Sequence, residues 1–555
     1  MDGFGWARRA SLALLLTTSA ARAQDLTTTA PASLGAPIEL PAAVDAPKAT
    51  ETAPKSAAAS GEAAPCCCAG FDWKKVPPIH AFPRPGFFPN PPKGCGYYSL
   101  FDEVLGRLRP DRPKYGYMPL ALQPPPMFDI DWRYLDDPKT PPQDFLESLH
   151  RVHLGDNWLF NTGGEFRWRH MHEINSRLTG VTNDYELLRT RVYGDLWYRD
   201  VFRVYVEGLD ARSYNQNLAP NPVDVDRTDL LDAFVEFKVF ENCNGKGYVR
   251  VGRQELLYGS QRLISPPDWN NTRRTFQGVR GYYTSEKWDV DLFWTQPVVP
   301  NPSHFDSVDN NQNFAGFWAT YRPAKGQFRD FYYLYLDNTN RQTQLGIVRA
   351  PYNVHTLGTR FAGDKNDFLY DVELMGQVGR RGDEDIFAAA ATAGVGYHFE
   401  HAPMDPTFWL YYDFASGDQN PNGGQFNTFN QLFPFGHYYF GWLDFVGRQN
   451  IHDFSAHMYL YPTKWLTFNA QFHHFELASA RDALYNAAGN AIRRDPTGAA
   501  GRDVGDEIDL IFNFHLTRRS DFLIGYSQMW EGSFLKQTGP RLDPSLFYAM
   551  YNFRW

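Results

Sequence analysis

Apolar and polar residues alternate with a period of two along most of the chain after His150. From Leu188 to Tyr198 the residues Leu, Thr, Val, Gly, Leu and Tyr alternate with Arg, Arg, Tyr, Asp and Trp. The same pattern returns over 202–207, 232–239, 288–295, 368–374 and 507–515. Because successive side chains of a strand point to opposite faces, each segment has one apolar face and one face that carries charge. The pattern predicts about 18 strands between Trp158 and Trp555.

Composition indicates what covers the apolar faces. Aromatic residues make up 16% of the 555 residues, while the mean hydropathy is −0.48. No run of about 18 apolar residues exists, which excludes helical membrane spans. The apolar sets are flanked by Trp, Tyr and Phe, and short connectors alternate with long ones, as in outer-membrane barrels. We therefore predict an all-β fold, a transmembrane antiparallel β-barrel with a disordered, Pro- and Cys-rich extension at its amino terminus.

Both ends of the chain favour this fold. Arg8 and Arg9 precede an apolar run and a small-x-small pattern ends at Ala23, which is typical of a secretory signal peptide over 1–23. At the other end, Phe547, Ala549, Tyr551, Phe553 and Trp555 form one apolar face of a last strand that ends on an aromatic residue. Such a strand resembles the terminal strand that the barrel-assembly machinery recognises.

Between these ends the chain divides into three parts. Residues 24–65 are rich in Ala and Pro and are predicted to be a low-complexity tether. Residues 66–150 form an accessory segment rich in Cys, Pro and aromatic residues, and residues 151–555 form the barrel. Five cysteines are present, with Cys66, Cys67, Cys68 and Cys95 in the accessory segment and Cys243 alone. No spaced Cys pair suits a metal ion, so disulfides within 66–95 are expected, and no metal or cofactor is.

Three stretches resemble the alginate export porin family. The stretch Tyr248–Leu257 (YVRVGRQELL) is similar to that family's basic "RxGRQ-L" strand and is followed by Trp269-Asn270-Asn271 and by Arg273-Arg274. The stretch Asp503–Leu510 is similar to a "DIGxELDL" strand, and Phe408-Trp409-Leu410 leads to Ser416-Gly417-Asp418 at a comparable place. The resemblance covers roughly residues 150–555 and implies an 18-stranded outer-membrane barrel that passes an anionic polysaccharide. The accessory segment lies outside it.

Arginines are the candidate functional residues. Six lie between positions 250 and 280, offset there by only Glu255 and Asp268, and a second group lies on the first strands. A guanidinium pairs with a carboxylate through two parallel hydrogen bonds and stays charged at physiological pH. We expect a pore-lining, anion-binding ring at a constriction, formed by Arg253, Arg273, Arg274, Arg280, Arg189, Arg191, Arg167 and Arg169. The alternative is that these arginines pair with lumenal acids such as Glu165 and Asp291 and brace the wall.

These features predict an outer-membrane porin or export channel for alginate-like polysaccharide or other anionic solutes. The expected partners are those solutes, outer-membrane lipid and the barrel-assembly machinery. The net charge of −9 argues against nucleic acid. A structural or surface-anchoring barrel is the second hypothesis, and a soluble polysaccharide-processing β-protein is the third. No catalytic pattern such as HExxH is present, so no enzymatic activity is expected. The solute, the direction of transport and the oligomeric state stay open.

Overall fold

The computed structural model describes residues 71–80, 92–117, 124–420 and 423–555. The predicted signal peptide, the tether and Cys66–Cys68 lie outside the described residues. The described residues belong to one compact unit, Cys66–Trp555. No helix among them is long and apolar enough to cross a membrane.

Eighteen antiparallel strands close into a barrel, as the alternation predicts. In chain order the strands are β1 (Val152–Leu154), β2 (Trp158–Ser176), β3 (Val181–Tyr198), β4 (Phe202–Tyr214), β5 (Asp226–Glu241), β6 (Gly245–Gln254), β7 (Phe276–Ser285), β8 (Trp288–Val299), β9 (Ser307–Val308), β10 (Gln312–Tyr321), β11 (Gln327–Gln344), β12 (Ile347–Lys365), β13 (Phe368–Arg381), β14 (Glu384–His398), β15 (Thr407–Ala415), β16 (Gln425–Phe426), β17 (Ile451–Thr463), β18 (Leu466–Leu477), β19 (Ala483–Tyr485), β20 (Ala491–Arg494), β21 (Asp503–His515), β22 (Ser520–Glu531) and β23 (Ser545–Arg554).

Five of these strands are short additions to the barrel. The strands β1, β9 and β16 pair at the ends of β2, β8 and β14, while β19 and β20 form a separate hairpin in a loop. The barrel closes where β23 pairs with β2, from Glu165 opposite Arg554 to Ile174 opposite Ser545. The α-helices are α1 (Leu100–Val104), α2 (Gly436–Tyr439) and α3 (Ser533–Thr538), and the 3-10 helices are Trp73–Lys75, Met127–Asp129, Arg133–Asp136 and Glu147–Leu149.

Connector lengths distinguish the two ends of the barrel. All the long loops, 215–225, 255–275, 300–311, 416–450, 478–502 and 532–544, leave from one end, which we call the long-loop end. The opposite end, the short-turn end, carries both ends of the barrel domain and tight connections such as Asn366-Asp367. Both of these residues have positive φ, 52° and 64°, as a two-residue hairpin turn requires.

The two faces of the wall follow the predicted alternation. Leu292, Leu374 and Leu410 point outward and are more than half exposed, whereas Asp291 and Glu373, their neighbours along the strands, are buried. In a water-soluble protein this distribution would be inverted. An apolar outer belt around a polar interior is the arrangement that a lipid surround favours.

The described residues of the accessory segment pack against the short-turn end, and some of them enter the lumen. The side chains of Met127, Phe128, Ile130 and Trp132 are buried there, and Phe128 contacts the inward-facing Tyr205 of β4. The sequence has no periodicity in this segment, and its position was not predicted.

The described cysteines correct the expected disulfide pattern. Cys95 is free and exposed, so it does not take part in a disulfide within 66–95. Cys243, expected to stand alone, is disulfide-bonded and lies in the short turn between β5 and β6. Spacing along the sequence could not show this, because folding brings residues together that are far apart in the chain.

Candidate functional site

Two long loops fold back into the lumen and narrow it. In the β6–β7 loop (255–275), Arg262 donates hydrogen bonds across the lumen to Asp371 at 2.9 Å and Glu373 at 3.2 Å, both on β13. In the β15–β17 loop (416–450), the backbone N–H of Leu443 donates to Glu507 of β21 at 2.9 Å. Acidic side chains of the inner wall therefore hold both loops inside the barrel.

Asp268 lies at the centre of the densest charge cluster. Arg189 donates to Asp268 at 2.7 Å and to Glu165 at 2.8 Å, and Arg273 donates to Asp268 at 2.6 Å and to Glu255 at 3.0 Å. The carboxylates come from β2 and from the β6–β7 loop, so the cluster fastens this loop to the wall. The guanidiniums of Arg189 and Arg273 are neutralised by these acids.

Two further predicted arginines are paired along the wall. Arg191 donates to Glu207 at 2.6 Å, and Arg280 donates to Asp291 at 2.6 Å. All four side chains are buried. Removing one partner of a buried ion pair typically costs about 3–5 kcal/mol, because the other charge stays behind without compensation. At these positions the arrangement matches the wall-bracing alternative.

The other inward-facing arginines are held mainly by backbone carbonyls. Arg167 donates to two carbonyls of the β6–β7 loop, with the Asp268 carboxylate 3.7 Å away. Arg169 donates to the Trp269 carbonyl at 2.5 Å, and Arg274 donates to the Phe433 carbonyl at 2.7 Å. Among the described residues, no carboxylate lies within ion-pair distance of Arg169 or Arg274. These two guanidiniums therefore form no direct ion pair in the described part of the chain.

Arg253 does not line the lumen, which corrects the prediction that rested most on the family motif. It lies opposite Ala233, and Ala233 is on the outward face of β5. Its guanidinium donates to the backbone carbonyls of Leu230 at 2.7 Å and Asp306 at 3.2 Å, near the long-loop end. The alternation from the outward-facing Val251 already places Arg253 on the same face.

Several arginines that the prediction left out belong to the lumenal network. These are Arg262, Arg360 with Asp371 at 2.7 Å, Arg448 with Asp413 at 2.8 Å and Arg554 with Glu165 at 2.9 Å. Period two could have identified Arg360 and Arg554, which take inward positions on strands. Arg262 and Arg448 lie on loops, where no periodic signal exists.

Arg169 lines a cavity of about 290 Å³ next to the constriction. Its guanidinium carbon lies 4.0 Å from the ring centroid of Trp269, and Trp442 and Tyr185 complete an aromatic wall. Two nitrogens of Arg169, Nε and Nη1, are buried and have no hydrogen-bond partner among the described residues. Aromatic faces beside free guanidinium donors are suited to a ring-shaped solute that carries an acidic group.

The carboxylates around this cavity are already engaged. Glu173 accepts from Tyr185 at 2.7 Å, and Asp224 accepts from the backbone of Asn221 at 2.8 Å. Asp444 lies 3.1 Å from the ring of His437. The free hydrogen-bonding groups of Arg169 are donors that suit an acidic group, and they lie in a cavity whose wall also carries these three carboxylates.

One group of carboxylates in the described residues is close enough to share a metal ion. Ligand oxygens of Asp226, Asp229 and Asp306 lie within 4.8 Å of one another near the long-loop end. The guanidinium of Arg253 binds the Asp306 carbonyl beside them. A permanent positive charge therefore already accompanies the group.

A family model matches the chain, and several solved structures are similar to it. The family model described as alginate export matches residues 159–549. OpdQ from Pseudomonas aeruginosa is similar in structure, with 12% identity, a TM-score of 0.49 and coverage of 71% of this chain and 97% of that one. For OccK11 (OpdR) of the same organism these values are 12%, 0.48, 73% and 100%, and for its outer membrane protein OprD they are 11%, 0.46, 71% and 94%. No curated protein matches the chain.

A closed barrel with an apolar belt and a charged, loop-constricted lumen defines an outer-membrane channel. The family match covers most of the chain, and it begins one residue after the start of the first long strand. The chain belongs to the alginate export family. Porin and export-channel families are in general not enzymes.

Proposed function

We propose that this channel passes an anionic polysaccharide of the alginate type, or smaller anionic solutes, through the constriction beside Arg169. The observation that carries the proposal is the guanidinium of Arg169, which has two nitrogens without a hydrogen-bond partner among the described residues, at an aromatic-lined cavity. The paired arginines brace the wall, and Arg169 and Arg274 supply the free positive charge. A positive constriction lowers the electrostatic barrier for a polyanion and repels cations.

The test is current block by oligouronates in planar bilayers. Replacement of Arg169 by Gln removes the charge and should weaken the block by about tenfold, the loss expected for one charge-assisted hydrogen bond. Replacement by Lys keeps the charge but loses the planar fork, so it should give an intermediate effect. A neutral oligosaccharide of equal length should block neither form.

Arg212→Gln is the matched control. Arg212 is exposed on the outward side of β4 and pairs with Asp210 at 2.8 Å, so its loss should leave block unchanged. Heat-modifiable gel mobility confirms that each variant is folded. Equal block of the wild type and Arg169→Gln would refute the role of Arg169. A closed channel without conductance under any condition would favour the structural or anchoring alternative.

A further inference from the structure

The part of the accessory segment that enters the lumen, residues 124–132, contacts a surface made of aromatic rings and arginines. The Phe128 ring centroid lies 5.4 Å from that of Tyr205 and 5.2 Å from that of Phe234, both on the inner wall. The guanidinium carbon of Arg250 lies 4.6 Å from the Phe128 ring. Arg203 donates to the Phe128 carbonyl at 2.7 Å. The segment is therefore bound by specific contacts and does not merely lie nearby.

A second set of contacts fastens other residues of the accessory segment to the rim. Arg518 in the β21–β22 turn donates to Asp144 at 2.7 Å and to Glu147 at 3.0 Å, and Arg519 also pairs with Asp144. Lys464, in the turn between β17 and β18, donates to the Cys95 carbonyl at 2.9 Å. These contacts join the segment to two turns of the short-turn end.

The last strand of the barrel also contacts the segment. The hydroxyl of Tyr117 donates to the Trp555 carbonyl at 3.1 Å, and that of Tyr115 donates to the Arg554 carbonyl at 3.2 Å. Trp132 stacks on His150 with ring centroids 3.6 Å apart. In each of these contacts the residue from the accessory segment lies outside residues 159–549, so the family match does not account for the contact.

We propose that residues 124–150 are an internal plug of the short-turn end, and that the lumenal surface of Tyr205, Phe234, Arg203 and Arg250 binds plug and transported solute in turn. Two observations point to a shared surface. Its guanidiniums, Arg203 and Arg250, pair with Asp195 and Glu236, each at 2.7 Å, but keep donors beside the aromatic faces. Nη2 of Arg203 donates to the Phe128 carbonyl, and Nη1 of Arg250 has no hydrogen-bond partner among the described residues, so both can bind an acidic saccharide once the plug leaves. At this surface the plug presents Phe128 and a carbonyl rather than a carboxylate, so the described ion pairs between plug and turns lie at the rim, with Arg518 and Arg519.

The ion pairs of Arg518 and Arg519 with Asp144 and Glu147, here called the rim clamp, can be removed without changing the side chains of the lumen. Their loss should loosen the plug. The double variant Asp144→Asn, Glu147→Gln removes the charges that Arg518 and Arg519 bind. In the full chain, small-ion conductance in KCl should rise, and the closed-to-open ratio should fall by about tenfold. Asp131→Asn is the control, because the ion pair of Asp131 in the described part of the chain is with its near neighbour Arg133, at 2.8 Å, and its loss should leave conductance unchanged.

A second variant acts at the lumenal contact. Phe128→Ala removes the ring that Tyr205, Phe234 and Arg250 hold, and it should also raise conductance while the barrel keeps its heat-modifiable mobility. An unchanged conductance in both the clamp variant and Phe128→Ala would overturn the plug. The conductance of small ions in KCl depends on the plug and does not depend on which solute the channel transports. This result is therefore independent of the proposed function. Shared binding requires in addition that oligouronate block strengthens in Phe128→Ala, and weaker block there would overturn it.

Discussion

Neighbouring residues on one strand lie in opposite environments. On β8, Leu292 is 62% exposed while Asp291 is 3% exposed. The carboxylate is buried because the lumen is filled by loops and by the accessory segment, and the leucine is exposed because it faces lipid. The burial of a side chain in a strand therefore depends on which face of the wall it occupies, and it depends little on its position along the chain.

Leu292→Arg should destabilise the barrel by about 2–4 kcal/mol, because it places a charge near the middle of the lipid-facing belt. Leu345→Arg makes the same substitution at an exposed residue of the β11–β12 turn, beyond the belt, and should cost little. Reversible urea unfolding in lipid vesicles measures both free energies. Equal costs at the two positions would mean that the outward face of β8 does not contact lipid.

The last strand, β23, closes the barrel by pairing with β2. The backbones of Trp555 and Gly164 exchange hydrogen bonds of 2.9 and 3.0 Å, and Phe553 lies opposite Phe166 on the outward face. A side chain at Gly163 or Gly164 would collide with Trp555, so the glycines let the chain end lie against β2. Closure of the barrel depends on this contact.

Phe553→Asp should lower the amount of assembled barrel, because it puts a charge on the outward face of the closing strand. The neighbouring change Asn552→Asp, on the inward face, is the comparison and should be tolerated better. The measurement is the heat-modifiable fraction in isolated outer membranes, with unassembled chain followed in parallel. Equal assembly of the two variants would contradict the importance of the apolar face of β23.

At the scale of the whole molecule, the contacts between the barrel and the plug include titratable groups. Burial, the largest cause, and the charge of Arg519 together lower the pKa of His150 to about 3, against the opposing effect of Asp144. The imidazole stacks on Trp132 and lies 3.4 Å from the Tyr193 hydroxyl, with Gly163 beside it. Burial raises the pKa of Asp144, but the Glu147 N–H, Arg518 and Arg519 together lower it to about 2.

Both pKa shifts weaken the docked plug in acid. The docked state binds fewer protons at His150 than the released state, so docking is complete above the ordinary histidine pKa of about 6.5 and weakens as the pH falls toward 3. Asp144 adds to this only below about pH 4. Conductance should therefore rise between pH 6.5 and 4.5. His150→Phe keeps the stacked ring and should remove this rise, whereas His304→Phe in a loop at the other end should not. A pH-independent wild type would contradict the link.

The barrel and the orientation of its strands follow from the sequence alone. Period two is a local property of the backbone, so the inward positions of Arg189, Arg191 and Arg280 could be predicted without a structure. The same rule places Arg253 outward, and the prediction was wrong there because it followed the motif and not the alternation.

Only the tertiary structure decided which charges remain free and what fills the lumen. Arg189 and Arg273 lose their free charge to Asp268, which lies on a loop whose path no local pattern specifies. Arg169 keeps its charge because the same loop offers it a carbonyl and an indole ring. The contact of Phe128 with Tyr205 and that of Arg518 with Asp144 join residues far apart in the chain. Such contacts form only when the barrel closes, so no local pattern in the sequence can predict them.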